Sequence, residues 1–316
     1  MLPPKFRPMR SIAPDKLSDV QWPKYASVKI DGIRACKPID ETVSKSGKPL
    51  PNKFFMSWMA KNAEPGIDCE VVVGDPANGD ETYRNTFSGI MSIEGEPDFN
   101  IYIFDLCHKA GPESGYCNDR LSNLELMFGH TRWKNHEFFT EVAPRTFLVK
   151  QWLLNNQEEF DAFYAKALEA GYEGAILRDP AGFYKYGKCT TKEQYQFKIK
   201  PEHDAEAEIL YAYEAEENLN TAFTNEVGET KRSSHQENKV GKGMLGGYHV
   251  RDLATGMVFD CGAGKLTHAE RVARWLTKDT APGKFIKYRS MSYGVHEAPR
   301  HPRFISDFNP TDTHSA

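Results

Sequence analysis

No stretch of the 316-residue chain approaches the roughly 18 consecutive apolar residues that suggest a membrane-spanning helix. The opening Met1-Leu2-Pro3-Pro4-Lys5 lacks the apolar core of a secretory leader. The expectation is a protein that stays in the cytoplasm and has no membrane partner. Cysteine is sparse as well. Cys36, Cys69, Cys107, Cys117, Cys189 and Cys261 never fall into a C-x-x-C pair, so their spacing supports neither a zinc ribbon nor a disulfide framework. Neither sign of charge dominates, with a net charge of -4. With 40% hydrophobic and 12% aromatic residues the chain is not a disordered one, and it can fill the cores of one large or two ordinary domains.

The small net charge hides blocks. Residues 1–50 carry ten Lys and Arg against five Asp and Glu, and residues 230–316 carry 14 against eight. Residues 202–229 hold nine acids and no base. The distribution fits either a basic face made from the two outer parts of the chain, able to track phosphates, with the acidic segment lying elsewhere, or ordinary solvated surface.

Apolar, β-branched runs recur between polar turns up to residue 200: 27–30, 69–73, 101–106, 146–149, 174–177 and 194–199, which read as strands of mixed sheets. Asn156 to Ala170 places Phe160, Phe163, Tyr164, Ala167 and Leu168 on one face, with acids in the first turn and Gly171 past its end, the pattern of an amphipathic helix. Residues 120–128 form a second candidate. After Lys200-Pro201 come short strands at 206–213, 247–251, 257–261 and 284–288, with one helix over 267–276. This suits an OB-fold, a small barrel that commonly binds nucleic acid. The predicted boundary divides an α+β domain over 1–200 from a barrel over 201–316, with a hinge at 201–204. The polar, Asn-rich span 214–242 reads as a long loop in the barrel, either a DNA-touching loop carrying Lys231 and Arg232 or a disordered insertion.

The richest local pattern is Lys29-Ile30-Asp31-Gly32-Ile33-Arg34, directly after the strand-like Tyr25-Ala26-Ser27-Val28. Lysine is ordinarily protonated, so one used as a nucleophile needs desolvation or neighbouring cations. Alone, the six residues equally describe a charged strand end and turn. They are followed in order by Asp68-Cys69-Glu70 ahead of three valines, Ile101-Tyr102-Ile103-Phe104-Asp105-Leu106, Glu173-Gly174-Ala175-Ile176-Leu177 and Phe197-Lys198-Ile199-Lys200-Pro201.

This ordered set resembles the motifs of the covalent nucleotidyltransferases, and the chain resembles ATP-dependent DNA ligases of the compact bacteriophage or bacterial type from Phe6 to Phe304. The resemblance implies a nucleotidyltransferase (adenylation) domain of mixed and antiparallel sheets with helices, followed by a C-terminal OB-fold β-barrel. It implies sealing of nicks in double-stranded DNA by a monomer, in replication, repair or recombination, within a bacterial cell or a phage-infected host. ATP and Mg²⁺ are the implied cofactors, with Mn²⁺ as a substitute.

The implied roles follow the motifs. Lys29 is the nucleophile that becomes lysyl-AMP. Lys198 and Lys200, on one strand face, contact the α-phosphate and lower the pKa of Lys29 by like-charge repulsion. Arg34 and Glu70 contact the ribose and Phe104 stacks on adenine. Glu173, with Asp31, binds metal through hard oxygens. Lys45 and Lys48 in Ser44-Lys45-Ser46-Gly47-Lys48 hold the nick phosphate, with Lys45 where the family usually has arginine; lysine lacks the bidentate fork. Lys185 and Lys188 are further DNA contacts, and Arg300 and Arg303 orient pyrophosphate. A later arginine of that last motif is replaced by Phe308.

Rival readings inside the superfamily are an mRNA capping guanylyltransferase, disfavoured by Glu173 where aspartate is usual, and an RNA ligase, which generally has another C-terminal domain. An NAD-dependent ligase would be expected to carry a zinc module and an additional N-terminal domain. A non-enzymatic nick-binding module with a silent ligase fold is disfavoured by the joint presence of Lys29, Glu173, Lys198 and Lys200.

Overall fold

The computed structural model describes residues 6–129, 134–224, 230–233, 236–293 and 299–309. The chain divides into two compact units, Met1–Lys200 and Pro201–Ala316.

In the first unit, strands Lys24–Lys29, Trp152–Leu154, Gly174–Arg178 and Gln196–Ile199 form an antiparallel four-stranded sheet, with Gly174–Arg178 between Lys24–Lys29 and Gln196–Ile199. A seven-stranded sheet is built around Ile33–Lys37, Ile67–Val73 and Phe99–Leu106, with one parallel pair between Phe99–Leu106 and Thr146–Val149. The helix predicted over 156–170 spans Gln157–Glu169. Asn156 caps it by accepting from the Glu159 N–H at 2.9 Å, and Phe160, Phe163 and Ala167 are buried. It stops where Gly171 takes a φ of +90°. The second candidate spans Cys117–Phe128.

Two helices, Lys53–Asn62 and Gly79–Ile90, escape the apolar pattern. The second buries Thr82 and Thr86 and leaves Tyr83 and Phe87 exposed. Its threonine hydroxyls serve the backbone: Thr86 Oγ1 accepts from the Val73 N–H and Thr82 Oγ1 donates to the Asp75 carbonyl. A helix anchored by hydroxyls has no apolar stripe to read.

The second unit is a closed five-stranded barrel of His203–Asn218, Lys239–Asp252, Val258–Gly262, Pro299–Phe308 and Phe285–Tyr293, in that order around the barrel. Helix His268–Leu276 opens with a capping box between Thr267 and Glu270. Two expectations need correction. The span 214–242 is not one long loop: the first strand runs to Asn218, the second begins at Lys239, and Ala222–Thr224 pairs with Thr230–Arg232 between them. These extensions are polar on both faces, so the alternation that marks a half-buried strand is absent. Nor does the acidic segment lie apart from the basic one. Glu206 faces Lys287 at 3.8 Å, Glu208 faces Arg251 at 3.2 Å, Glu216 faces Lys239 at 3.8 Å and Glu217 faces Lys242 at 3.6 Å. Asp204 pairs with Arg289, so the barrel begins at His203 and only Pro201 and Glu202 remain of the predicted hinge as connecting chain.

Candidate active site

Strand register brings the motif residues of the first unit to one end of the four-stranded sheet. Lys29, last in its strand, lies opposite Gly174, and the Glu173 N–H donates to the Lys29 carbonyl at 3.2 Å. Ala175 lies opposite Ile199 and Ile176 opposite Lys198. The sheet therefore gathers Lys29, Glu173, Lys198 and Lys200, although 171 positions separate the first from the last. Two glycines permit the close approach. A Cβ on Gly174, whose φ is +151°, would lie 2.2 Å from the Ile199 carbonyl oxygen, and one on Gly32 would lie 2.4 Å from that of Val71. Neither position accommodates a larger residue without backbone movement.

The Glu173 carboxylate bridges the two ammonium groups: Lys29 Nζ donates to Oε2 and Lys200 Nζ to Oε1. Lys200 lies one residue beyond the strand that carries Lys198, so the two do not share a regular strand. Burial first, and then the ammonium groups of Lys29, Lys45 and Lys188, push the Lys198 amine below its ordinary value. The lysine-rich turn after Val43–Ser44 and the turn holding Lys188 therefore converge on the same site.

On the neighbouring sheet Arg34 lies opposite Glu70. The Arg34 guanidinium faces Asp68, with Nε on Oδ1 at 2.8 Å and Nη2 on Oδ2. Asp68 also accepts from Tyr184 Oη at 2.7 Å and contacts Cys36 Sγ at 3.1 Å. Burial opposes the Arg34 charge, but Asp68 outweighs it and holds the guanidinium firmly protonated. Phe104 falls where the pairing with the Ile67–Val73 strand skips a residue, between Ile103 and Asp105, a bulge that re-aims its side chain. Arg34 and Arg178 lie over its ring at 5.3 and 5.0 Å.

Burial pushes the Glu70 carboxyl up to about 7, against Lys29 and Arg34, which pull it down, and with Asp68 and Asp31 adding to the rise. A carboxyl raised on folding from its ordinary 4.5 keeps a proton that the unfolded chain has released, so stability falls as pH rises from about 4.5 through about 7. Glu70→Gln should therefore flatten the pH dependence of the melting temperature in that window relative to the unsubstituted chain. Parallel profiles would show that the carboxyl titrates as an ordinary one.

The remaining candidates differ in exposure and pairing. Lys45 and Lys188 are exposed, Lys48 is half-buried in the same turn as Lys45, and Lys185 is held by Glu193 at 2.7 Å. Arg232 is exposed and donates to the Asn220 carbonyl, while the Lys231 and Arg300 side chains lie outside the described ones. Arg303 is paired with Glu202, and Phe308 carries Lys287 over its ring at 5.2 Å. Sequence reasoning missed buried Lys24, which donates to Asp179 at 2.7 Å and to the Gln194 carbonyl at 3.2 Å, and the Asp105–Arg120 pair at 2.7 Å. The partners of Lys24 lie 155 and 170 positions along the chain, and Asp105 and Arg120 sit on a strand and a helix that no local pattern links.

A lysine at a sheet end, a glutamate and two further lysines around it, and a following closed barrel make up the nucleotidyltransferase and OB-fold architecture that the motifs imply. No protein-family model matches the chain. It is 26% identical over 181 residues to a DNA ligase of Haloarcula marismortui, a match covering 54% of this chain and 30% of that protein. It is 23% identical over 179 residues to DNA ligase 2 of Korarchaeum cryptofilum, covering 52% of this chain and 29% of that one. The match thus spans under a third of the length of either curated relative.

Among solved structures, the Chlorella virus DNA ligase-adenylate is 26% identical with a TM-score of 0.52, the match covering 97% of this chain and 99% of that one. A Lig E DNA ligase, at 21% identity and a TM-score of 0.66 over 95% and 99% of the two chains, shares the fold. The resemblance to DNA ligases is borne out by the two curated relatives and the Chlorella virus structure, and the fold class by both solved structures. No helix among the described residues is long and apolar enough to cross a membrane.

Proposed function

We propose that this chain is an ATP-dependent DNA ligase that seals nicks in duplex DNA through a lysyl-AMP intermediate. The observation that carries the reading is the convergence of Lys29, Glu173, Lys198 and Lys200 at one sheet end, with Arg34, Glu70 and Phe104 on the adjoining sheet.

Lys29 Nζ, once deprotonated, attacks the α-phosphorus of ATP. A nitrogen–phosphorus bond forms and the bond to the bridging oxygen breaks, releasing pyrophosphate. Lys198 and Lys200 supply fixed positive charge where the phosphoryl oxygens gain negative charge. Arg34 and Glu70 hold the ribose, and the re-aimed Phe104 ring stacks on adenine. The DNA 5′-phosphate next takes AMP from Lys29, and the adjacent 3′-hydroxyl displaces it. Lys45, Lys48, Lys185 and Lys188 contact the DNA, with Lys231 and Arg232 from the two-stranded sheet of Ala222–Thr224 and Thr230–Arg232, and Arg300 and Arg303 act toward pyrophosphate.

Mg²⁺ supplies charge neutralisation on the phosphates when bound. Among the described residues no group of three or more His, Cys, Asp or Glu could hold a metal. A Mg²⁺ held by one or two carboxylates together with substrate phosphates needs no such group, and Glu173 with Asp31 meets that lesser demand. We place the protein in the cytoplasm, acting as a monomer.

The reading is tested by incubating purified protein with a nicked duplex labelled at its 5′-phosphate, Mg²⁺ and either ATP or GTP. Sealing with ATP alone is the expected result. Labelling of the protein from GTP without sealing would favour a capping guanylyltransferase.

A further inference from the structure

Two arginines near the start of the described chain have no part in the assignments above. Their segment is docked along the stretch that ends in the lysine strand. The Arg10 N–H donates to the Gly187 carbonyl at 2.8 Å, the Cys189 N–H donates to the Arg10 carbonyl at 2.9 Å, and the Gly187 N–H donates to the Arg7 carbonyl at 3.2 Å. The Lys198 N–H continues the contact, donating to the Ile12 carbonyl at 2.8 Å. Buried Phe6 packs edge-on against Tyr186 at 5.2 Å, and the N–H of buried Met9 donates to Tyr184 Oη at 3.1 Å. With Phe6, Pro8 and Met9 turned inward, Arg7 and Arg10 are left exposed.

Their surroundings are cationic. Arg10 bridges in parallel to Lys188. A Cβ on Gly47 would lie 3.0 Å from Arg7 Nη1, so the Arg7 guanidinium rests on the turn that carries Lys45. Lys45 and Lys188 in turn act electrostatically on Lys198. Among the described residues, none of Arg7, Arg10, Lys45, Lys188 and Lys198 is paired with a carboxylate. Elsewhere in the same unit cations are matched: Lys24 with Asp179, Arg34 with Asp68, Arg120 with Asp105, Lys185 with Glu193. Five uncompensated cations on adjoining segments repel one another until an anion arrives, and they form a strip rather than a pocket.

We propose that Arg7 and Arg10 extend the phosphate-binding strip outward from Lys45 and Lys188 and bind backbone phosphates of the duplex beside the nick. The inference rests on the DNA ligase reading. Exposure and extension along the surface suit a polyanion with regularly spaced charges better than the compact tail of ATP. Guanidinium forks, unlike ammonium groups, can hold a phosphate by two hydrogen bonds at once.

The test is a salt series of nicked-duplex affinity for the full chain and for the R7A/R10A and R7K/R10K variants, with lysine labelling from ATP measured in parallel. Each lost phosphate contact reduces the slope of log affinity against log salt by roughly 0.9, so R7A/R10A should lose nearly two units of slope and about ten-fold or more in affinity at low salt. R7K/R10K, which keeps the charge, should recover the slope. Unchanged slope and affinity in R7A/R10A would overturn the proposal. A raised ATP requirement for labelling with DNA affinity intact would overturn it too, assigning the arginines to the ATP tail. Failure of the unsubstituted chain to label or seal would instead remove the ligase reading beneath it.

Discussion

Lys29→Ala is expected to abolish covalent labelling of the folded protein by α-phosphate-labelled ATP, a loss of at least about 10³-fold. Lys198 and Lys200 are near neighbours, yet neither should substitute. Lys198 projects from the next strand but one, and Lys200 is held to the far oxygen of Glu173. Lys29→Arg separates charge from nucleophilicity. It keeps a cation able to pair with Glu173, but a guanidinium does not lose its proton in a protein. That variant should fold, bind nicked DNA and take no label. Residual labelling of either variant near the unsubstituted level would place the nucleophile elsewhere.

Asp68→Ala is expected to lower the unfolding free energy by about 3–5 kcal/mol, the cost of leaving a buried partner charge uncompensated. Asp68 is fully buried and accepts from both Arg34 and Tyr184, so its removal strands a guanidinium and a phenol in one place. Replacing both charges by apolar residues, as in Arg34→Met with Asp68→Leu, should destabilise less than Asp68→Ala alone. Denaturant titration followed by tryptophan fluorescence measures both. Equal losses in the two variants would mean that Asp68 contributes by packing rather than by pairing.

The sequence was most legible where chemistry and periodicity coincide. Lys29, Glu173 and Lys198 sit on or beside β-branched runs bounded by glycine or proline, so their strands, and hence their convergence, could be anticipated. The helix over Gln157–Glu169 announced itself by its Asn156 cap and its phenylalanines. Legibility failed where polar groups do structural work. Thr82 and Thr86 face inward on a helix whose aromatic residues face outward, which inverts the usual signal. Glu214 to Asn218 and Lys239 to Lys242 form strands wet on both sides. The Arg34–Asp68–Tyr184 network joins residues up to 150 positions apart, and nothing local to Tyr184 marks it. The Arg303–Glu202 pair likewise joins residues about a hundred positions apart, and nothing local to either marks it.

The central claim is that Lys29 carries AMP from ATP to a DNA end, and a pulse and chase tests it most directly. The protein is labelled with α-phosphate-labelled ATP and Mg²⁺, freed of nucleotide, and mixed with nicked duplex in the absence of ATP. The account predicts label on the peptide containing Lys29, discharged as AMP in step with one sealed nick per labelled molecule. Label that stays on the protein while DNA is present, or folded protein that takes no label from ATP, would contradict it.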